Sequence, residues 1–245
     1  PLFGGILAEA FGMRMSFFLA AAALFLNFLV LVFFIKEPPD DAKQTHEKPV
    51  EEKPNLWKNP LIRNMLIYAV FVQFVILIIQ PVLTTYISEL AGQMDNLIFI
   101  SGLVFSLGGF ASAISAPLWG RFGQHHGFHT ALTYALIATS ICFFLQALPN
   151  DLMLFAASQF AVGLFFSGIY PSINAILAEN TDAHTKGHVF GLLFSAQQIG
   201  SMTGPLLGGV VATFLGIKYI FILAALIVLA ISIAAQRQRK FERPE

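Results

Sequence analysis

The sequence predicts an all-α membrane protein, and three observations support this prediction. Hydrophobic residues make up 56% of the chain and charged residues only 11%, whereas about a quarter of the residues in an ordinary soluble domain are charged. Seven apolar runs are each long enough to cross about 30 Å of hydrocarbon as a helix. Lys and Arg fall mostly on one side of these runs.

The seven runs follow one another along the chain. Residues 1–12 are too few to span a membrane and indicate the tail of a preceding helix. The predicted spans are 15–35, 64–88, 96–119, 128–147, 152–177, 189–214 and 218–235. A soluble bundle of such helices would have no polar face to turn toward water, so we predict that membrane lipid surrounds it.

The positive charges predict the orientation of the chain. Twelve of the 14 Lys and Arg residues lie on one side of the predicted spans, and only Arg14 and Lys218 lie on the other. Because positive loops stay in the cytoplasm, we predict a multi-pass plasma membrane protein with a cytoplasmic C-terminus. The net charge is zero, which argues against a nucleic-acid partner, since such a partner requires a basic surface.

The sequence contains an internal repeat. Residues 1–22 align without gaps on residues 205–226, with ten identities in 22 positions. The alignment matches glycine and proline as well as apolar residues, for example Gly12 with Gly216. Chance similarity between two apolar helices would not extend to these positions. We therefore interpret the chain as the end of one repeat followed by one complete repeat.

The complete repeat predicts what precedes the incomplete one. Residues 60–204, 145 in number, come before its copy of the shared segment. By symmetry we expect about 145 residues before Pro1 and twelve spans in two halves of six. The predicted domains are 1–35, with part of span 5 and span 6; 36–59, a charged cytoplasmic linker; 60–236, the second six-helix half; and 237–245, a basic cytoplasmic tail.

A glycine and proline motif lies inside the repeat. Its second copy consists of Gly200, Gly204, Pro205, Gly208 and Gly209, and the end of its first copy consists of Pro1, Gly4 and Gly5. Glycines four residues apart let two helices approach closely, and proline bends a helix. The alternative interpretation is tight helix packing with no role in transport.

A twelve-span chain with this motif resembles the drug:proton antiporter branch of the major facilitator superfamily. The resemblance implies a major facilitator-type bundle and a secondary active transporter that exports amphipathic drugs by alternating access in exchange for protons. A second motif of that family, in a cytoplasmic loop, is matched by Gly120, Arg121, Gly123 and Gly127. Gln124 and His125 replace its acidic and basic residues, so we expect a weakened charge latch there.

Uncharged polar and aromatic residues recur at helical spacing within the predicted spans. The candidates for a substrate cavity are Gln73, Gln80, Tyr170, Asn174, Phe194, Gln197 and Ser201. The alternative role is interhelical hydrogen bonding, which stabilises membrane bundles by about 1 kcal/mol per contact. The middle of each span lacks Asp, Glu, Lys, Arg and His. Because proton coupling needs an ionisable group inside the membrane, we expect the proton carriers to precede Pro1.

Other functional classes fit the sequence less well. His125, His126 and His129 have no nearby carboxylate to complete a metal site, and we expect neither a metal nor a cofactor. No catalytic constellation can be assembled, so we do not expect an enzyme. A seven-helix receptor would not explain the repeat. Within transport, uptake of a sugar or another small metabolite remains the alternative to drug export.

Overall fold

The structure, a computed structural model, describes residues 2–34, 58–92 and 97–242. These residues form α-helices and connections, without a β-strand in the described ranges, and the all-α prediction is confirmed. The helices are α1 (Leu2–Phe34), α2 (Pro60–Ala91), α3 (Leu97–His126), α4 (Phe128–Gln146), α5 (Leu152–Phe166), α6 (Ile169–Glu179), α7 (Lys186–Phe214) and α8 (Ile217–Glu242). Most of the predicted linker, 36–59, lies outside the described residues.

Two helices begin at residues that cap them. The Asn59 side chain accepts a hydrogen bond from the backbone N–H of Leu61, and proline occupies the first position of α2. Asp151 accepts from two backbone N–H groups in the first turn of α5. Such side chains satisfy donors that have no partner inside the helix. These two helices, α2 and α5, therefore start where the sequence provides a short polar side chain.

The internal repeat has a counterpart in the backbone. Gly12 interrupts α1 with φ 80° and ψ 159°. Gly216, which is 204 residues later, connects α7 to α8 with φ 98°. Positive φ values strain residues that carry a Cβ, which explains why glycine occupies both positions. The part of α1 after Gly12 thus corresponds to α8, as the sequence alignment predicts.

The predicted spans and the observed helices differ in two respects. The predicted span 152–177 consists of α5 and α6, which are interrupted at Ser167 and Gly168. Six stretches among the described helices have the length and hydropathy of a membrane span, and α7 is not one of them. Glycine, serine, glutamine and threonine lower the hydropathy of α7, although it is a continuous helix over the predicted span 189–214.

The core is organised around α2, which packs against α7 and α8. Fully buried side chains of α2 include Met65, Val75 and Ile78. On the other side of the bundle, α3 packs against α5, and α4 contacts α5, α6 and α8. Helix α1 packs against α3, and its large apolar side chains, such as Phe17 and Phe33, are exposed. An apolar surface of this extent suits lipid rather than water.

Candidate functional site

A row of glycines brings α7 into close contact with α2. Gly200, Gly204 and Gly208 are buried, and a Cβ on Gly200 would lie only 2.3 Å from the carbonyl oxygen of Val70. Cβ atoms on Gly204 and Gly208 would lie 2.9 and 2.8 Å from carbonyl oxygens of α2. Only glycine permits this separation of the two backbones.

The other residues of the glycine and proline motif lie elsewhere. Gly209 has no atom within 4 Å of the position that a Cβ would occupy, and Pro205 is exposed within α7. In the first copy, Gly4 and Gly5 lie in α1, and Pro1 lies outside the described residues. The motif therefore combines a packed row with an open position.

Two of the predicted cavity residues meet beside this glycine row. The Tyr170 hydroxyl donates a hydrogen bond to Oε1 of Gln73 at 2.5 Å, and the Cβ of Gln73 lies 3.0 Å from the position of a Gly200 Cβ. Helices α2, α6 and α7 thus converge at a polar contact. Gln197 and Ser201, one turn before and one residue after Gly200, are half-buried.

The remaining predicted cavity residues do not join this contact. Asn174 and Phe194 are exposed, and the Phe194 side chain retains 63% of its accessible surface. Gln80, two turns beyond Gln73 on α2, lines a separate cavity of about 300 Å³ among α2, α3, α4 and α5. Its other lining residues include Phe105, Phe143, Gln159 and Phe166.

The polar wall of this cavity includes a glutamine that sequence reasoning missed. Gln159 accepts a hydrogen bond from the buried Gln146 amide at 2.5 Å. The side-chain oxygen Oε1 of Gln146 has no hydrogen-bond partner in the described part of the chain. Two amides in apolar runs were visible in the sequence, but their pairing between α4 and α5 was not. The cavity combines aromatic walls with amide groups and, among its lining residues, has no charged side chain.

A second close helix contact, between α3 and α5, was also missed. A Cβ on Gly163 would lie 2.2 Å from the carbonyl oxygen of Gly108. The Ser112 hydroxyl lies 2.9 and 3.0 Å from the carbonyl oxygens of these two glycines. The Trp119 indole donates to the carbonyl oxygen of Leu164 at 2.8 Å. Gly108 and Ser112 are four residues apart on α3, and Gly163 and the C-cap residue of α5, Ser167, are also four apart. This small-residue spacing is the signal that could have predicted the contact.

The loop motif, which we predict to be cytoplasmic, forms the corner between α3 and α4. Gly127 has φ 86° and connects the helices. A Cβ on Gly123 would lie 2.5 Å from the Phe128 ring, whereas Gly120 has open space and Arg121 is exposed. In the same turn, the His126 ring stacks on Phe122 with centroids 4.5 Å apart.

Beyond Gly208, a cavity of about 600 Å³ lies between α2 and α7 toward the ends of both helices. We call it the α2–α7 wedge. The residues that line it include Pro81, Thr85, Glu89, Pro205, Gly209 and Thr213. Glu89 is exposed, and its carboxylate is the charged group of the wedge.

Comparison with known proteins identifies the sequence family. Residues 1–101 and 98–244 match the Major Facilitator Superfamily. The chain is 32% identical over 230 residues to the multidrug resistance protein MdtG of Salmonella arizonae. The aligned region covers 94% of this chain and 57% of that protein. MdtG of Dickeya zeae is 31% identical, with 94% and 56% covered. The chain therefore spans somewhat more than half the length of these relatives.

A solved structure shares the fold. The crystal structure of the POT family transporter PepTSo superposes with a TM-score of 0.64 and 14% sequence identity. The match covers 74% of this chain and 37% of that one. At this identity the likeness shows the fold alone, which is a partial transporter bundle.

Proposed function

Because this chain belongs to the Major Facilitator Superfamily, we propose that it is the C-terminal part of a secondary active transporter that exports amphipathic drugs in exchange for protons. The repeat supports the proposed arrangement, since by symmetry with its second copy we expect an equivalent of residues 60–204 before the first. The coverage of the MdtG relatives agrees with it. The name of these relatives, multidrug resistance protein, supports drug export over uptake of a metabolite.

The observation that carries this proposal is the composition of the 300 Å³ cavity. Aromatic rings of Phe105 and Phe166 supply apolar area, and Gln80 and Gln159 supply hydrogen-bonding groups. Ligand sites generally pair a mainly apolar lining with a few polar groups. An amphipathic compound has both kinds of surface, whereas a sugar would require many more polar partners than this cavity offers.

The glycine row suggests how the bundle changes conformation. Alternating access requires helices to move against one another as rigid bodies. At Gly200, Gly204 and Gly208, α7 contributes no side chain to its contact with α2. We propose that this smooth contact, together with the prolines of both helices, allows α7 to shift along α2 during transport.

Proton exchange requires ionisable groups that this chain does not place at mid-membrane. The acids of α2 to α8 and of their described connections lie at or near helix ends, as Glu89, Asp151 and Glu179 do. We propose that the proton carriers lie in the half that precedes Pro1. The chain alone then inserts in the membrane but does not transport.

Ethidium efflux from energised cells tests this proposal. One strain expresses the chain alone, and another expresses it with the residues that precede Pro1 in its gene. Efflux from the second strain only, abolished when the proton gradient is collapsed, is the expected result. Efflux by the chain alone would contradict the proposal that transport needs the preceding half. Sugar accumulation without ethidium efflux would favour an uptake transporter over a drug exporter.

A further inference from the structure

We propose that the α2–α7 wedge binds amphipathic organic cations, with the carboxylate of Glu89 as the counter-charge. This inference rests on the proposed export function, since it names the class of compound that the transporter accepts. It concerns a site distinct from the uncharged 300 Å³ cavity.

The wedge exists because the contact between α2 and α7 ends. The last glycine of the row, Gly208, lies against Ile78. Beyond it, Pro81 and Pro205 stand within their helices on the two walls of the wedge. Proline removes a backbone hydrogen bond and bends a helix. Gly209 adds no side chain to the space between the two walls, so the wedge stays unfilled at this position.

The shape and lining of the wedge fit an amphipathic molecule. Its volume of about 600 Å³ is within the usual range for sites of drug-sized ligands, about 300 to 1,000 Å³. Glu89 is eight positions after Pro81, which corresponds to about 12 Å along a helix. The inner part is lined by apolar groups such as Val82 and Ala212, and the carboxylate lies near the end of α2.

The charge of Glu89 is available to a ligand. In the described ranges, no basic side chain pairs with its carboxylate. Lys218, which follows the wedge residues Gly216 and Ile217, donates a hydrogen bond to Asn150 instead. A carboxylate at the mouth of an apolar wedge attracts a cation whose hydrophobic part can enter, and at this exposed position the attraction is that of a surface ion pair.

A pair of ligands tests the role of charge. Tetraphenylphosphonium is a bulky apolar cation, and triphenylphosphine oxide is a neutral compound that keeps three of its four phenyl rings. We would measure equilibrium binding of both to the purified whole gene product. The variants are Glu89→Gln, which removes the charge, and Gly209→Leu, which fills the wedge. The matched controls are Glu179→Gln, at the opposite end of the bundle, and Gly191→Leu, which has open space on α7.

We expect Glu89→Gln to weaken tetraphenylphosphonium binding about fivefold, the effect of one partly exposed ion pair, and to leave the neutral ligand unaffected. We expect Gly209→Leu to weaken both ligands, and the controls to bind as the unmodified protein does. The proposal is overturned if Glu89→Gln binds the cation as tightly as Glu179→Gln does, or if Gly209→Leu has no effect on binding. It is likewise overturned if Glu89→Gln weakens both ligands equally, as a structural role or a contact with a preceding segment would. It is also overturned if the unmodified protein does not bind the cation.

The same proteins in cells separate this inference from the proposed function. Binding that depends on Glu89, without export of tetraphenylphosphonium, would contradict the export function and leave the cation site standing. Export of both compounds with no dependence on Glu89 would support the function and remove the site.

Discussion

Glycine and serine, rather than large apolar residues, determine how closely the helices approach. In a membrane, the hydrophobic effect does not hold helices together, because lipid is as apolar as leucine. The contacts at Gly163 and Gly200 instead bring backbones together, and Ser112 and Trp119 add hydrogen bonds across α3 and α5. Single small residues therefore carry much of the packing specificity.

The residue Gly163 provides a direct test of this packing. In Gly163→Ala, the new methyl group would lie 2.2 Å from the carbonyl oxygen of Gly108, so α5 must move away from α3. We expect a loss of stability of about 1–3 kcal/mol, which is typical of overpacking. Thermal unfolding of the purified protein in detergent measures it.

Gly109→Ala is the control for Gly163→Ala. Gly109 is also within a helix, but it has open space around the position of a Cβ. Since alanine favours helix more than glycine does, we expect unchanged or slightly higher stability. An equal loss of stability in both variants would show that the loss in Gly163→Ala does not come from a clash between α3 and α5.

The helices themselves differ in what stabilises them. Helix α2 is mainly apolar and central to the core, whereas α7 is rich in glycine and lies along α2. The connections between helices are equally specific, because Gly127 and Gly216 adopt positive φ values. An element in this bundle is thus defined by its ends and its contact face as much as by its hydropathy.

Gly216 tests the importance of these connections. Gly216→Ala introduces a Cβ at φ 98°, where nothing lies within 4 Å, so its cost is conformational and not steric. We expect a loss of about 1–2 kcal/mol, measured as a lower thermal unfolding midpoint. Gly191→Ala, within α7 and equally unobstructed, should show no loss; a matching decrease there would refute the explanation from backbone conformation.

At the scale of the whole molecule, α5 and α6 together form one candidate membrane span, Leu152–Glu179. The connection between α4 and α5 and the one between α6 and α7 are therefore expected at opposite ends of the bundle. The distribution of Lys and Arg predicts that the second of these ends faces the cytoplasm. This orientation stays a prediction.

Cysteine labelling tests the orientation. The native Cys142 is first replaced by serine, and a cysteine is introduced by Asn150→Cys or by Asp182→Cys, both at exposed positions. A membrane-impermeant maleimide added to intact cells should label the first variant only, and permeabilised cells should show labelling of both. Labelling of the second variant alone in intact cells would reverse the predicted topology.

Much of the fold was predictable because it depends on local chemistry. Long apolar runs must become helices in lipid, since every backbone polar group needs a partner within its own segment. The repeat aligns Gly12 with Gly216, and both adopt positive φ. The family comparison confirms the resemblance drawn from the glycine and proline motif. The division into domains and the coupling to protons stay predictions.

The sequence by itself determined that this protein is helical, membrane-bound and built from a repeated unit, because composition, run length and glycine positions act within one segment. Only the tertiary structure decided which polar groups meet. Gln73 and Gln80 share a helix face in the sequence pattern, yet one bonds Tyr170 and the other lines a separate cavity. Glu89 directly follows the predicted span 64–88, and only the structure shows that it lines the α2–α7 wedge. Such encounters depend on how each helix is rotated and how closely it approaches its neighbours, and these quantities are set by contacts between residues far apart in the chain.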